Sequence, residues 1–208
     1  MTSPGHISAS NLVPPYRVYH RFLDSTAHAD LLAWAIENEA KFKTSSVSST
    51  FVKDEAKYEL SLRTSLRVGE FGPAKVMMHQ RLLDIVPVLI KDLRVSSFVP
   101  SRIELELVAN NDGAFFKRHL DTFMADARKS SDRLLSAVYY FHAEPKAFSG
   151  GQLRLHSFAG DGSFVDVPPE QNSLVVFPSW ATHEVLTVNC PSKRFSDSRF
   201  NVNCWVHQ

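Results

Sequence analysis

Beyond residue 100 the chain breaks into short alternating runs, and that rhythm limits the fold more than any other feature. The runs are 102–108, 115–121, 134–142, 152–156, 163–167, 173–177, 182–188 and 199–207. Apolar and polar side chains tend to alternate within them, the period of a strand with one face buried. Asn110-Asn111-Asp112-Gly113, Ser149-Gly150-Gly151, Gly160-Asp161-Gly162 and Pro168-Pro169 punctuate the series with turn-forming residues. Strands this short at this spacing close into a two-sheet jelly roll or barrel.

The first hundred residues differ in character. Residues 1–15, rich in Ser, Pro and Asn, read as a loose arm. Residues 16–22 suit a short strand, and Asp24 or Ser25 caps a helix over roughly 26–42. Its apolar set, Ala27, Leu31, Trp34 and Ala35, has the spacing of a core-packing face. Residues 44–52 and 59–68 read as two strands, joined by the charged Lys53-Asp54-Glu55-Ala56-Lys57 in a plain hairpin loop. Gly72-Pro73 opens a second helix with an apolar side of Val76, Met77, Leu83, Val86 and Leu89, and Pro87 is expected to bend or interrupt it. The expected fold class is mostly β with N-terminal helices. Residues 1–100 support a β core of residues 101–208, the two forming one structural unit.

Composition excludes several roles. The 23 lysines and arginines nearly balance 22 aspartates and glutamates, so there is no basic field to attract nucleic acid. No apolar run is long enough for a membrane helix, and Met1-Thr2-Ser3-Pro4-Gly5-His6 lacks the regions of a signal peptide. Cys190 and Cys204 make no zinc-type or disulfide pattern, and the expected location is the cytoplasm.

Chemistry enters at His119-Leu120-Asp121. In a strand, residues two apart share a face, so an imidazole and a carboxylate point together as two ligands of a divalent metal. His183 is the expected third. It follows Val176-Phe177-Pro178-Ser179-Trp180-Ala181-Thr182, where an apolar strand ends in a turn and the next strand begins near a barrel mouth. His6, His20, His28, His79 and His207 have no such setting and read as surface or satisfied core residues. Two histidines and a carboxylate on one side of a metal leave three adjacent positions open, the arrangement of non-haem Fe(II) oxygenases. Zinc favours tetrahedral closure, and the triple alone does not exclude it.

The run Arg199-Phe200-Asn201-Val202-Asn203-Cys204-Trp205 alternates strictly. Phe200, Val202, Cys204 and Val206 make an apolar face, and Arg199, Asn201, Asn203 and Trp205 make the other. That second face is either solvent-exposed or turned into the barrel. Turned inward, Arg199 requires an anion, and a dicarboxylate that also chelates iron meets the requirement.

These elements resemble the 2-oxoglutarate- and Fe(II)-dependent dioxygenases, in particular the prolyl-4-hydroxylase-like branch with the hypoxia-sensing prolyl hydroxylases and their bacterial relatives. The resemblance rests on Asn111-Asp112-Gly113-Ala114-Phe115-Phe116 before His119-Leu120-Asp121, then Tyr139-Tyr140-Phe141 and Gly150-Gly151-Gln152-Leu153-Arg154-Leu155. Phe177-Pro178-Ser179 before His183-Glu184-Val185, and Arg199 to Trp205, complete it in family order. It implies a double-stranded β-helix core packed on α-helices. It implies Fe(II) on His119, Asp121 and His183, with 2-oxoglutarate as co-substrate and O2 as oxidant. Arg199 and Tyr140 are then expected to hold the distal carboxylate, and Leu153 and Asn203 to line the co-substrate pocket. Tyr139, on the opposite strand face from Tyr140, is expected to pack.

The sequence departs from the family at two places. Residues 189–198 form an enlarged loop in which Arg194 competes for the role given to Arg199. Ala109 and Asn110 stand near a position where many relatives carry Tyr or His. The chemistry implied is oxidative decarboxylation of 2-oxoglutarate to succinate and CO2, coupled to hydroxylation of a C–H bond. A prolyl residue in a protein or peptide is the expected target. A free amino acid or small metabolite, or a non-catalytic metal-binding jelly-roll module, are the alternatives. Residues 53–58, the basic segment 122–133 with Arg128, Lys129 and Arg133, and the 189–198 loop are the candidate substrate contacts, although the first reads as a plain hairpin loop and the second as an ordinary solvated loop.

Overall fold

The computed structural model describes residues 13–44, 63–122 and 133–208. Most of the N-terminal arm, the strand-loop-strand stretch over 45–62 with its 53–58 joint, and most of the basic segment 122–133 lie outside the described residues.

The N-terminal elements are β1 (Arg17–His20), helix α1 (Ser25–Glu37), a 3₁₀ turn (Glu39–Lys41), β2 (Lys43–Thr44), β3 (Arg63–Thr64), β4 (Leu66–Val68) and helix α2 (Pro73–Asp92). Next come β5 (Arg102–Asn110), β6 (Phe115–His119), β7 (Arg133–Phe141), β8 (Ser149–Gly150), β9 (Leu153–His156) and β10 (Phe164–Val167). β11 (Ser173–Pro178), β12 (His183–Val185), β13 (Val188–Asn189) and β14 (Arg199–His207) finish the chain. A seven-stranded sheet runs β1-β11-β7-β14-β5-β4-β2, and a five-stranded sheet runs β10-β9-β12-β6-β3. β13 and β8 form a separate ribbon. The architecture is mostly β with few helices, and each of the eight runs read from the sequence overlaps at least one of its strands. Among the described residues, no helix is long and apolar enough to cross a membrane.

One face of the large sheet and the two helices make the main core. Phe200, Val202, Cys204 and Val206 on β14 and Ile103, Leu105, Leu107 and Ala109 on β5 pack with Leu31 and Ala35 of α1 and Met78, Leu82, Val86 and Leu89 of α2. Asp24 caps α1 by accepting from the Ala27 N–H at 2.9 Å, and Trp34 packs edge-on against Phe71. The helix stops at Glu37 rather than running to residue 42. Asn172, whose φ of 52° places it in the left-handed region, ties the N-terminal segment to the sheets. Its side chain accepts from Leu23 N and donates to Leu23 O, and it also accepts from the Tyr139 hydroxyl.

Three other expectations need correction. Pro87 does not interrupt α2, which is continuous over Pro73–Asp92. Pro87 lies on the exposed side, and the buried row Met78, Leu82, Val86 and Leu89 carries the helix past the missing N–H. The run 59–68 is not one strand in its described part. The chain changes sheets at Ser65, so that β3 pairs with β6 and β4 pairs with β5. The run 182–188 likewise divides, because β12 stays on the small sheet while β13 pairs with β8.

Candidate metal and co-substrate site

Adjacent strands of the small sheet bring the two histidines together. His119 ends β6 and His183 begins β12, and they are direct partners in the antiparallel register. Asp121 arrives differently from the expectation. The strand stops at His119, so alternation does not place Asp121, which is held by its own N–H donating to Ser179 O at 3.1 Å. The ligating atoms of His119, Asp121 and His183 all lie within 4.8 Å of one another. Each imidazole Nε2 is 3.6 Å from an Asp121 oxygen, His119 from Oδ1 and His183 from Oδ2.

The surroundings orient all three. His119 Nδ1 lies 2.7 Å from Lys117 O, and His183 Nδ1 lies 2.9 Å from Ala181 O. A carbonyl only accepts, so each Nδ1 carries the proton and each Nε2 presents a lone pair to the site. Ser136 Oγ donates to Asp121 Oδ2 at 2.7 Å and contacts Ser179 Oγ at 2.9 Å. Phe116 stacks on His119 with ring centroids 3.6 Å apart, and Phe177 meets the His183 ring edge-on. Burial pushes His183 down to about 4 against the pull of Asp121, so the ring is neutral at neutral pH. Burial opposes ionisation of Asp121, yet the two histidines and the Ser136 hydroxyl hold its carboxyl below the usual carboxylate range. A neutral His183 and an ionised Asp121 are in the forms that bind a divalent metal.

The cavity continues from these ligands to β14. Arg199, Asn201, Asn203 and Trp205 all line it, so the polar face of β14 turns inward. Tyr140 and Leu153 line it too, while Tyr139 packs in the main core with its ring stacked near Phe141. Arg199 is 1% exposed, and burial pushes its guanidinium down. Its Nη1 donates to Asn201 Oδ1 at 2.8 Å, and the guanidinium carbon lies 4.8 Å from the Tyr140 ring centroid. Arg199 Nε and the Tyr140 hydroxyl are buried without a hydrogen-bond partner. Among the described residues, no carboxylate pairs with Arg199. A buried guanidinium and phenol left open in this way fit an anionic ligand. Arg194, the competitor, is largely exposed and pairs with Asp197. The enlarged loop that carries it is pinned to the Asn111-Asp112 turn and contributes nothing to the cavity lining.

Three contributors were given no binding role from the sequence. Asn110 donates to Asn201 Oδ1 at 2.7 Å and to Arg199 O at 3.3 Å, fixing the amide that holds Arg199. The β5 alternation carries the signal, since Asn110 falls on the face of Glu106 and Val108. Gly151, read as a turn residue, has φ of 69° and no room for a side chain, because a Cβ there would lie 2.5 Å from Arg199 Cδ. Arg63 reaches the cavity from β3.

Comparison with known proteins agrees with this geometry. The family model for the 2OG-Fe(II) oxygenase superfamily matches residues 105–207, a span that includes the cluster of His119, Asp121 and His183 as well as Arg199. The chain belongs to that superfamily. A 2OG-Fe(II) oxygenase uses Fe(II), 2-oxoglutarate and O2, and the donor set of His119, Asp121 and His183 suits that iron. The chain is 39% identical to a PKHD-type hydroxylase of Synechocystis over 139 residues, 64% of this chain. That match covers 45% of the relative's length, so the chain spans less than half of it. In structure the chain is similar to a Pseudomonas putida prolyl-4-hydroxylase, with a TM-score of 0.65 and 24% identity over 93% of this chain and 92% of that one. A Trichoplax adhaerens prolyl hydroxylase, in complex with a peptide fragment of hypoxia inducible factor, gives a TM-score of 0.61 at 17% identity over 95% and 88% of the two chains. At these identities the structural likeness establishes the fold.

Proposed function

We propose that the protein is a 2-oxoglutarate-dependent dioxygenase that hydroxylates a C–H bond of a prolyl residue in a protein or peptide. One observation carries this reading. The open Arg199 guanidinium and Tyr140 hydroxyl lie in the same cavity as the three metal-ligating side chains. A structural metal site requires no second, unpaired cation behind it.

His119, Asp121 and His183 hold the iron, and Ser136 keeps the Asp121 carboxylate turned toward it. Arg199 and Tyr140 receive the distal carboxylate of 2-oxoglutarate, with Asn110 and Asn201 fixing the guanidinium. Leu153 and Asn203 line that pocket. When bound, the iron with 2-oxoglutarate and O2 supplies the oxidising power for hydroxylation, and the co-substrate becomes succinate and CO2. Phe115, Phe116, Val138 and Val185 are apolar walls that limit water in the cavity. The hydroxylase relative supports hydroxylation, and the prolyl hydroxylases that share the fold support a prolyl target. The N-terminal helices and the β core are proposed to act as one unit in the cytoplasm.

Anaerobic addition of Fe(II) and 2-oxoglutarate should give a weak visible charge-transfer band, and admission of air should yield succinate. Absence of both would end the oxygenase reading. A mass gain of one oxygen, screened across prolyl peptides and free amino acids, decides the target class.

A further inference from the structure

The metal cavity contains a second arginine for which the co-substrate has no use. Arg63 stands on β3 at the edge of the small sheet, in register with Phe116. Its side chain is 11% exposed. Nε donates to Ser65 Oγ at 2.9 Å and Nη2 to Glu106 Oε2 at 3.2 Å, while Nη1 donates to none of the described residues. The guanidinium carbon is 5.2 Å from the Phe116 ring centroid, and Phe116 stacks directly on His119. Arg63 is thus one aromatic ring away from a metal ligand.

Its charge is only partly met. Glu106 is shared between Arg63 and Arg67. Asp121 also acts on Arg63, but a bound divalent metal takes up the charge of that carboxylate. Burial pushes the Arg63 guanidinium down, consistent with incomplete compensation. The co-substrate does not supply the balance, since its two carboxylates are committed to the metal and to Arg199. Nor is Arg199 close along the strands. It pairs with Asn110, whereas Glu106 pairs with Asn203, and the four-residue offset spans roughly 13 Å.

We infer that Arg63 binds a carboxylate of the primary substrate beside the C–H bond that is oxidised. The inference rests on the oxygenase reading above and narrows its substrate class to carboxylic acids. The acid is either the α-carboxylate of a free amino acid or an acidic side chain next to the target residue of a peptide. A guanidinium with an open N–H edge discriminates strongly between a carboxylate and its isosteric amide, because only the carboxylate is both charged and acceptor-only.

The experiment compares matched acids and amides by the succinate they release above the substrate-free rate. One arm uses the free protein amino acids against their primary amides. The other uses capped Gly-Pro-Glu against capped Gly-Pro-Gln. The wild-type protein should favour the acid of at least one pair by about tenfold or more in kcat/KM, and the responding arm identifies the source of the carboxylate. In Arg63→Gln that ratio should fall to within about twofold of unity, with Arg63→Lys between the two. If Arg63 served only to hold Glu106, its loss would lower acid and amide together and leave the ratio intact, which overturns the inference. Equal use of acid and amide by the wild type, or no stimulation by any pair, overturns it as well. Failure of the oxygenase reading itself is distinguished by loss of the anaerobic charge-transfer band.

Discussion

Gly151 and Arg199 are in direct contact, and the contact requires a glycine. A Cβ at Gly151 would lie 2.5 Å from Arg199 Cδ and 3.0 Å from its Nε, in a backbone with φ of 69°. The turn therefore forms the wall against which the guanidinium rests. Gly151→Ala should displace Arg199 and raise the KM for 2-oxoglutarate by about tenfold or more, with backbone strain of roughly 1 kcal/mol added. Initial rates of succinate release against 2-oxoglutarate concentration give the answer, and an unchanged KM would show that Arg199 is not the anchor.

The two candidate anchors separate cleanly. Arg199 is buried with an open Nε, whereas Arg194 is solvent-facing and paired with Asp197. Arg199→Ala should weaken 2-oxoglutarate on the order of 100-fold, as expected for a buried charge-assisted pair. Arg194→Ala should leave it within about twofold, as an exposed ion pair contributes little. Quenching of intrinsic fluorescence on titration with 2-oxoglutarate in the presence of Mn(II) measures both.

Ser136 touches no metal, yet its hydroxyl donates to Asp121 Oδ2 and links that carboxylate to Ser179. Ser136→Ala should reduce Fe(II) affinity by about 10- to 100-fold, the usual cost of losing a partner that orients a ligand. The expected pattern is restoration of activity by excess Fe(II), with the KM for 2-oxoglutarate little changed. A loss that excess Fe(II) does not restore would count against the positioning role.

Asn172 joins Leu23 through two backbone hydrogen bonds and also accepts from Tyr139. Asn172→Ala removes all three and keeps a left-handed backbone that alanine dislikes. Roughly 2–3 kcal/mol of stability should be lost. Urea unfolding followed by circular dichroism tests this, and a change under about 0.5 kcal/mol would exclude the tie as a stabilising feature.

Both cysteines are fully buried, and burial pushes the Cys204 thiol up. Neither should react with Ellman's reagent in the native protein, and two thiols per chain should appear on unfolding. Rapid labelling of the folded protein would contradict the burial of Cys204 on β14 or of Cys190 in the loop before it.

Eight strands of the β core are legible because each falls in an alternating or apolar run that one buried face imposes, and the β14 face follows once Arg199 must meet an anion, whereas β8 lies in Ser149-Gly150-Gly151, which reads as a turn. What escaped depends on distance in sequence. His119 and His183 become partners only through the β6–β12 register, and nothing in either segment states that register. Arg63 lies far upstream on a two-residue strand, too short for any periodic signal. Asn110 was read with its turn because Asn-Asn-Asp-Gly dominates locally, although β5 extends to it. Pro87 was overweighted because the burial of Met78, Leu82, Val86 and Leu89 that supports α2 is tertiary.

The proposed iron ligands and the proposed carboxylate anchor stand on different sheets. His119 and His183 belong to the small sheet, and Arg199 and Tyr140 to the large one. The length of acid that can touch both is therefore gauged by the spacing between sheets, about 10 Å in such sandwiches, and by the side chains packed between them. The fold acts as a caliper for its co-substrate. A core substitution that opens or closes the jaws would retune which dicarboxylate fits without altering a single group that binds it.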